Sequence, residues 1–192
     1  MEAALEFVFR WIHFLAGITW IGLLYFLNFV NVPFQRVLDP SARPLVIPTL
    51  MPRVLAWFRH AAWITVLAGL VLWWLKYARL GDIVETNNAK TILIGGLLGI
   101  IMASNVWFII WPNQRRIIEA VRSGQTADPS WGRRALYASR TNVILSFPML
   151  LFMDGAGHYG LDWVSIVVYG VLAAILAYLL LFSVQKWAVT KF

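Results

Sequence analysis

The sequence contains no cysteine and little charge: of its 192 residues, 13% are charged and 60% are hydrophobic. The lack of cysteine excludes disulfides, thiolate metal sites, iron–sulfur clusters and covalently attached c-type haem. Soluble domains are about one quarter charged, and a soluble fold of this length has too small a core to hide so much apolar surface. The composition therefore indicates an integral membrane protein.

Familiar catalytic patterns are also missing from the sequence. It contains no phosphate-binding glycine loop, no Gly-x-Ser-x-Gly elbow and no His-Glu-x-x-His zinc helix. These absences argue against a nucleotide enzyme and against a soluble-type hydrolase. No internal repeat is evident, and residues 1–192 are predicted to form a single domain.

Five apolar stretches are long enough, at about 20 residues each, to cross a bilayer as helices. They predict an all-α integral membrane protein, a bundle of five transmembrane helices at about residues 5–30, 55–77, 91–111, 136–155 and 163–187. The first stretch carries acids in place of a basic leader, so it is predicted to span the membrane and not to be a cleavable signal.

Prolines mark the predicted helix boundaries on one side of the membrane. A cluster of four predicts an irregular loop before the second helix: Pro40, Pro44, Pro48 and Pro52. Pro112 predicts the end of the third helix. The segment Arg115–Arg122 has amphipathic spacing, and it predicts a helical extension of the third helix into water.

Positive charge is distributed very unevenly over the predicted loops. All but four of the 16 Lys and Arg residues fall on the side opposite the N-terminus, the exceptions being Arg10, Lys76, Arg79 and Lys90. Because positive loops remain in the cytoplasm, the N-terminus is predicted outside and the C-terminus inside. The same distribution accounts for the net charge of +7 without a nucleic-acid partner.

The chain has three histidines, and the predicted topology separates them. His13 lies about two turns into the first helix and His158 lies just beyond the fourth, so both face the outer side; His60 lies at the opposite face. Imidazole is a common ligand of haem iron and of metal ions. His13 and His158 are therefore predicted to bind haem iron, the alternative being that each is a hydrogen-bonded structural residue.

Neighbours of His13 suit the same prediction. Arg10 shares a helix face with His13 and is placed to pair with a haem propionate, although it can also simply extend to the interface. Gly17, one turn further along, leaves a patch without a side chain where a porphyrin edge can lie. Arg59 and His60 are predicted to be a cytoplasmic helix cap.

Other polar and small residues within the spans are predicted to join helices. Interhelical hydrogen bonds are expected for Asn28, Asn31, Asn105, Asn142 and Ser146. Close helix packing is expected along Gly95, Gly99 and Ala103, with approach of a flat cofactor as the alternative. Met149 and Met153 are interpreted as packing residues or axial ligands, and Asp154 as a residue that orients a histidine or carries a proton.

Three motifs resemble the N-terminal membrane domain of bacterial membrane-bound urate hydroxylases. They are the run RWIHFLAGITWIGLLYFLNFVNVP from Arg10, NVWFIIWPNQ at 105–114 and SRTNVILSFPML at 139–150, followed by His158. The resemblance covers about residues 10–158. His13 matches the histidine of the family's RW-x-H pattern, and Trp20 and Gly22 match its W-I-G pattern.

Full-length members of that family end in a cytochrome c domain with a Cys-x-x-Cys-His motif, which this cysteine-free sequence does not contain. The sequence therefore resembles the family's short stand-alone form. More distantly, its multi-span pattern with scattered histidines is similar to bacterial protoporphyrinogen oxidases. These resemblances imply a haem b site at His13 and His158, with Arg10 and Gly17 beside it.

The resulting hypothesis is a haem b-binding redox or electron-transfer protein of the bacterial inner membrane, an oxidoreductase if it is an enzyme. Its expected partners are the lipid bilayer and other membrane subunits or a redox partner at the outer face, and a homo-oligomer is compatible with the sequence. One alternative is a non-catalytic accessory subunit of a larger respiratory or photosynthetic membrane complex. Another is a transporter, which five helices without an inverted repeat make a weaker hypothesis.

Overall fold

The computed structural model describes residues 1–184, except for the side chain of Val184, and this part of the chain is helical with no strands. The α-helices are α1 (Glu2–Tyr25), α2 (Val32–Val37), α3 (Arg43–Lys76), α4 (Asn87–Asn105), α5 (Trp111–Arg122), α6 (Pro129–His158) and α7 (Trp163–Leu179). Three π-helical turns cover Phe26–Asn31, Val106–Ile110 and Leu180–Val184, and two 3-10 turns cover Pro40–Ala42 and Ala78–Leu80. The predicted end of the last helix at residue 187, and the charges of Lys186 and Lys191, lie outside the described residues.

These pieces join into five long helical segments. Each is long and apolar enough to cross a membrane by length and composition: Glu2–Val37, Pro40–Leu80, Asn87–Arg122, Pro129–His158 and Trp163–Ser183. The prediction of an all-helical fold with five such helices is confirmed for the described residues. The first four segments are longer than predicted because each continues past the apolar stretch into a polar extension.

The predicted irregular loop at Pro44, Pro48 and Pro52 is wrong. Pro44 occupies the first turn of α3, where a missing N–H costs nothing, and Pro48 and Pro52 lie inside the same helix. Pro52 cannot donate to the carbonyl of Pro48, one turn earlier. Nη2 of Arg122, at the end of α5, donates to that carbonyl at 3.3 Å, so a residue distant in sequence satisfies the group that the proline leaves free.

Pro112 does not end the third helix, which corrects another prediction. The π turn Val106–Ile110 immediately precedes it, and the helix continues as α5. The wider π turn gives the proline ring room inside a continuous helix. The predicted extension over Arg115–Arg122 is confirmed, and α5 packs against α3 and α6.

Aspartates fix the starts of the last two helices. Asp128 accepts a hydrogen bond from the backbone N–H of Ser130, and Asp162 accepts one from Ser165, each at 2.7 Å. These backbone N–H groups stabilise the charged carboxylates and hold the pKa of both aspartates below its usual range. The cap at Asp128 explains why α6 begins at Pro129 and not near residue 136.

The helices pack as two hairpins followed by α7. The first hairpin pairs α1 with α3, and the second pairs α4 with α6, against which α7 packs. Arg79, beyond the end of α3, binds Glu2 at the start of α1, while Thr91 near the start of α4 bonds to Leu161 beyond α6. We call this end of the bundle the His158 end and the opposite one the Arg122 end.

The two hairpins share a pattern of buried positions, although the residue types at these positions differ. Each has a π turn followed by Pro-x-Gln-Arg, at Pro33–Arg36 and Pro112–Arg115. Aligning these prolines superposes buried positions of the first and third helical segments: Trp20 on Gly99, Leu24 on Ala103, Leu27 on Val106 and Asn31 on Ile110. Aligning Arg59 with Arg140 does the same for α3 and α6: Phe58 on Ser139, Ala61 on Asn142, Ala62 on Val143, Thr65 on Ser146 and Ala68 on Met149. The burial pattern thus reveals a tandem hairpin that was not evident in the sequence.

The turn between α6 and α7 depends on Gly160. Its φ is 52°, and a Cβ there would lie 2.1 Å from Asn88 Oδ1.

We expect Gly160→Ala to lower the free energy of unfolding by about 2 kcal/mol, since a left-handed conformation costs a residue with a side chain about 1–2 kcal/mol and Asn88 must also move. Thermal melts in detergent measure the change. Gly157→Ala, where a Cβ meets nothing within 4 Å, is the control, and equal melting temperatures for the two variants would contradict the prediction.

Candidate functional site

His13 lies in the contact between α1 and α3. Its Nδ1 is 2.8 Å from the backbone carbonyl oxygen of Thr65. The side-chain hydroxyl of Thr65 donates to the carbonyl of Ala61 at 2.7 Å. The hydrogen bond with the imidazole of His13 is therefore made by the backbone oxygen of Thr65. Gly69, one turn further along α3, leaves the space in which the ring lies: a Cβ there would be 3.0 Å from His13 Cε1.

This hydrogen bond sets the chemistry of the ring. A carbonyl oxygen can only accept, so Nδ1 of a neutral His13 carries the proton and Nε2 keeps its lone pair. Within residues 1–184, no hydrogen-bond partner is found for Nε2. A ring nitrogen held in this way by a backbone carbonyl is the usual support of a metal-binding histidine.

The predicted neighbours of His13 have other partners. Arg10 forms an ion pair with Glu6 on its own helix, and Lys76 lies 3.6 Å from the same carboxylate. These exposed ion pairs at the His158 end contribute little to stability, so Arg10 can exchange its partner at low cost. A Cβ on Gly17 would lie 3.8 Å from Thr65 Cγ2, so part of the glycine face packs against α3. A porphyrin contact at Gly17 stays a prediction.

His158 is the last residue of α6, and its side chain is 70% exposed. Nε2 of His158 is 3.9 Å from Asp154 Oδ1, which lies one turn earlier on the same helix. This distance is too long for a hydrogen bond, so the role of Asp154 in orienting the imidazole stays a prediction. His13 contacts α3 and His158 contacts its own helix, so the described contacts do not bring the two rings together.

The helix register nevertheless places the two histidines at similar heights. Tyr25 on α1 and Ser146 on α6 share a hydrogen bond of 2.9 Å. His13 lies about twelve residues before Tyr25, and His158 lies about twelve residues after Ser146, which is about 18 Å along each helix at 1.5 Å per residue. Because both helices run from this bond toward the His158 end, a shared ligand is compatible with the register.

His60 lies away from this end and has a different environment. Nε of Arg59 is 3.4 Å from His60 Nε2, and the guanidinium lies 4.1 Å from the ring centroid of Trp111. Trp107 packs edge-on against His60, with ring centroids 6.0 Å apart, and its indole N–H donates to the Arg59 carbonyl. Because α3 begins at Arg43, Arg59 and His60 lie in the interior of the helix, and the predicted helix-cap role is wrong.

The predicted interhelical hydrogen bonds are largely confirmed. Asn105 donates to Asn142 at 2.8 Å, and Asn142 donates to the Met102 carbonyl at 2.9 Å, which joins α4 to α6. Asn28 in the first π turn donates to Ser139 on α6 at 2.8 Å. Asn31 instead accepts a bond from Gln35 within its own segment.

Thr65 and Gly69 were missed by the sequence interpretation. Their one-turn spacing on α3 was visible, but a threonine and a glycine in an apolar helix are ordinary packing residues. Their role follows only from the rotation of α3 that turns them toward His13.

Haem binding at His13 and His158 stays a prediction. Among the described residues, no group of three or more His, Asp or Glu side chains is arranged to hold a metal ion. A porphyrin supplies four nitrogen ligands of its own, so it needs one or two axial ligands from the protein. The supported imidazole of His13 fits the first of these.

Comparison with known protein families matches residues 81–191 to the family described as Urate oxidase N-terminal. The match covers more than half of the chain and includes the motifs at 105–114 and 139–150 together with His158. The run from Arg10 to Pro33, which contains His13, precedes the matched range. No curated protein and no solved structure matches the chain.

Proposed function

The chain belongs to the urate oxidase N-terminal family, and on this premise we propose that it is a haem b-binding redox protein of the bacterial inner membrane. The observation that carries the proposal is the hydrogen bond from His13 Nδ1 to the Thr65 carbonyl, which leaves Nε2 as a ligand nitrogen. The matched range of the family, residues 81–191, includes His158.

In this proposal each residue has a separate part. His13 would hold the haem iron, the Thr65 carbonyl fixes its tautomer and ring orientation, and Gly69 leaves room for the ring. Arg10 would pair with a haem propionate at the membrane surface in place of Glu6. The bound haem supplies one-electron chemistry, and the protein tunes it through ligation and burial.

We propose His158 as the second residue that would hold the haem iron. Counted along the helices from the Tyr25–Ser146 hydrogen bond, it lies as far toward the His158 end as His13 does. Its exposed position at the end of α6 leaves the imidazole accessible to a ligand that lies across the His158 end of the bundle.

The absorption spectrum of protein purified from haem-replete cells tests the function. A Soret band with α bands in the reduced-minus-oxidised spectrum is expected. A colourless protein that remains bound to other membrane subunits in mild detergent would refute the proposal in favour of the accessory-subunit hypothesis.

The proposed orientation has the His158 end outside and the Arg122 end in the cytoplasm. The absence of native cysteine allows a direct test with two single substitutions at exposed loop positions, Glu85→Cys and Gln125→Cys. On intact spheroplasts, a membrane-impermeant maleimide should label the variant at 85 and should label the variant at 125 only after lysis. The reverse pattern would show that the orientation is inverted, and labelling of both before lysis would contradict membrane insertion.

A further inference from the structure

A groove runs along the surface of the first hairpin between α1 and α3. Its volume is about 420 Å³, and its lining residues are Ile18, Thr19, Gly22, Leu23, Arg53, Val54 and Trp57. Ile18 and Trp57 are each 69% exposed, so the groove opens away from the bundle. In the proposed membrane orientation, this surface faces lipid.

The groove is open and apolar because two of its lining residues place no large or polar group in it. A Cβ on Gly22 would meet nothing within 4 Å, so the absent side chain leaves open space. The hydroxyl of Thr19 donates to the Leu15 carbonyl at 2.9 Å, which keeps this polar group on its own helix. The remaining lining is therefore apolar along most of the length.

Arg53 supplies the single charge of the groove, at the Arg122 end. One of its guanidinium nitrogens, Nη1, donates to the Thr49 carbonyl, which leaves the other N–H donors for a ligand. Among the described residues, no carboxylate pairs with Arg53. An apolar trough that ends at an unpaired guanidinium complements a molecule with a hydrocarbon chain and an anionic head.

We propose that this groove binds one anionic phospholipid, with an acyl chain along Gly22 and Trp57 and the phosphate at Arg53. Arginine suits the role because its fork of donors matches two phosphate oxygens. The groove is separate from His13, because His13 precedes Ile18 on α1 and Gly22 follows it. Lipid binding in the groove does not depend on bound haem.

The second hairpin provides an internal comparison. In the tandem alignment, Arg53 corresponds to Arg134, whereas Gly22 corresponds to Ile101. The second hairpin thus keeps the arginine but has a side chain where the groove would be. Gly22→Ile therefore copies a residue that the same helical position already accepts elsewhere in the chain.

Native mass spectrometry of the full chain in mild detergent tests the proposal. The probes are phosphatidylglycerol and phosphatidylcholine with identical acyl chains. We expect the first phosphatidylglycerol to bind about five- to tenfold more tightly than phosphatidylcholine. Arg53→Gln should remove this preference and leave phosphatidylcholine binding unchanged, while Gly22→Ile should remove the first tight site for both lipids.

Matched controls separate a built site from general attraction. Arg133→Gln removes an exposed arginine outside the groove, and Gly96→Ile adds a side chain at another open helical glycine; both should bind like the parent. Glycerol phosphate without acyl chains should not compete. Equal binding of the two lipids, a retained preference in Arg53→Gln, an unchanged first site in Gly22→Ile, or the same loss in Arg133→Gln would each overturn the proposal.

Discussion

Replacing His13 by alanine is expected to abolish the Soret band of the purified protein. The substitution removes an imidazole whose Nδ1 is held 2.8 Å from the Thr65 carbonyl oxygen, which leaves Nε2 to bind the iron. Without this ligand, a bound porphyrin would be held by packing contacts alone. Substitution of residues that merely support a metal ligand already reduces metal affinity about 10- to 100-fold. Absorption spectra and haem quantification at equal protein concentration measure the effect.

The other two histidines provide the contrast. His60→Ala should leave the spectrum unchanged, because its ring contacts Arg59 and Trp107 and not the proposed site. His158→Ala should keep haem but shift the Soret band toward a five-coordinate, high-spin form, since one axial ligand is lost. Arg10→Ala should retain haem with weaker affinity. An essential His60 together with a dispensable His13 would show that the proposed site is misplaced.

Replacing Gly95 by leucine is expected to have the largest effect on stability. A Cβ at this position would lie 3.2 Å from Phe152 Cβ and 3.5 Å from the backbone nitrogen of Met153. The leucine would therefore press on the backbone of α6, which cannot move as a side chain does, and α4 and α6 would have to separate. We expect a loss of about 3 kcal/mol, a large part of the roughly 5–15 kcal/mol that keeps a protein folded.

The neighbouring residue provides a control for this experiment. Gly96 is on the same helix, and a Cβ there would meet nothing within 4 Å, so Gly96→Leu should change stability by less than about 0.5 kcal/mol. Thermal melts followed by size-exclusion chromatography measure both variants. Equal melting temperatures would show that α4 and α6 are less closely packed at Gly95 than the structure indicates.

The helix number and the buried polar contacts could be predicted from the sequence. Apolar stretches of this length are visible without any packing information, and polar residues such as Asn105 and Asn142 are costly in lipid unless they find each other. The number of helices depends on the local sequence alone. The polar contacts depend on the need of each buried amide for a hydrogen-bond partner, and few partners are present in the spans.

The course of the chain through its prolines could not be predicted in the same way. Whether α3 continues through Pro52 depends on a donor for the freed Pro48 carbonyl, and that donor is Arg122. Likewise, the support of His13 by Thr65 and Gly69 depends on how α1 and α3 are rotated toward each other. Such information is distributed over residues far apart in sequence, and local patterns do not contain it.

The tandem hairpin has a consequence for the ancestry of the site. In the alignment of the two hairpins, His13 corresponds to Ile92, and Gly69 corresponds to Leu150. If the hairpins descend from one duplicated gene segment, the histidine and the glycine that accommodates it changed together in only one copy. The second hairpin instead packs against α7 and contains the hydrogen bond between Asn105 and Asn142. The hydrogen-bonded imidazole of His13 thus belongs to the first hairpin, whereas His158 lies at the end of the second.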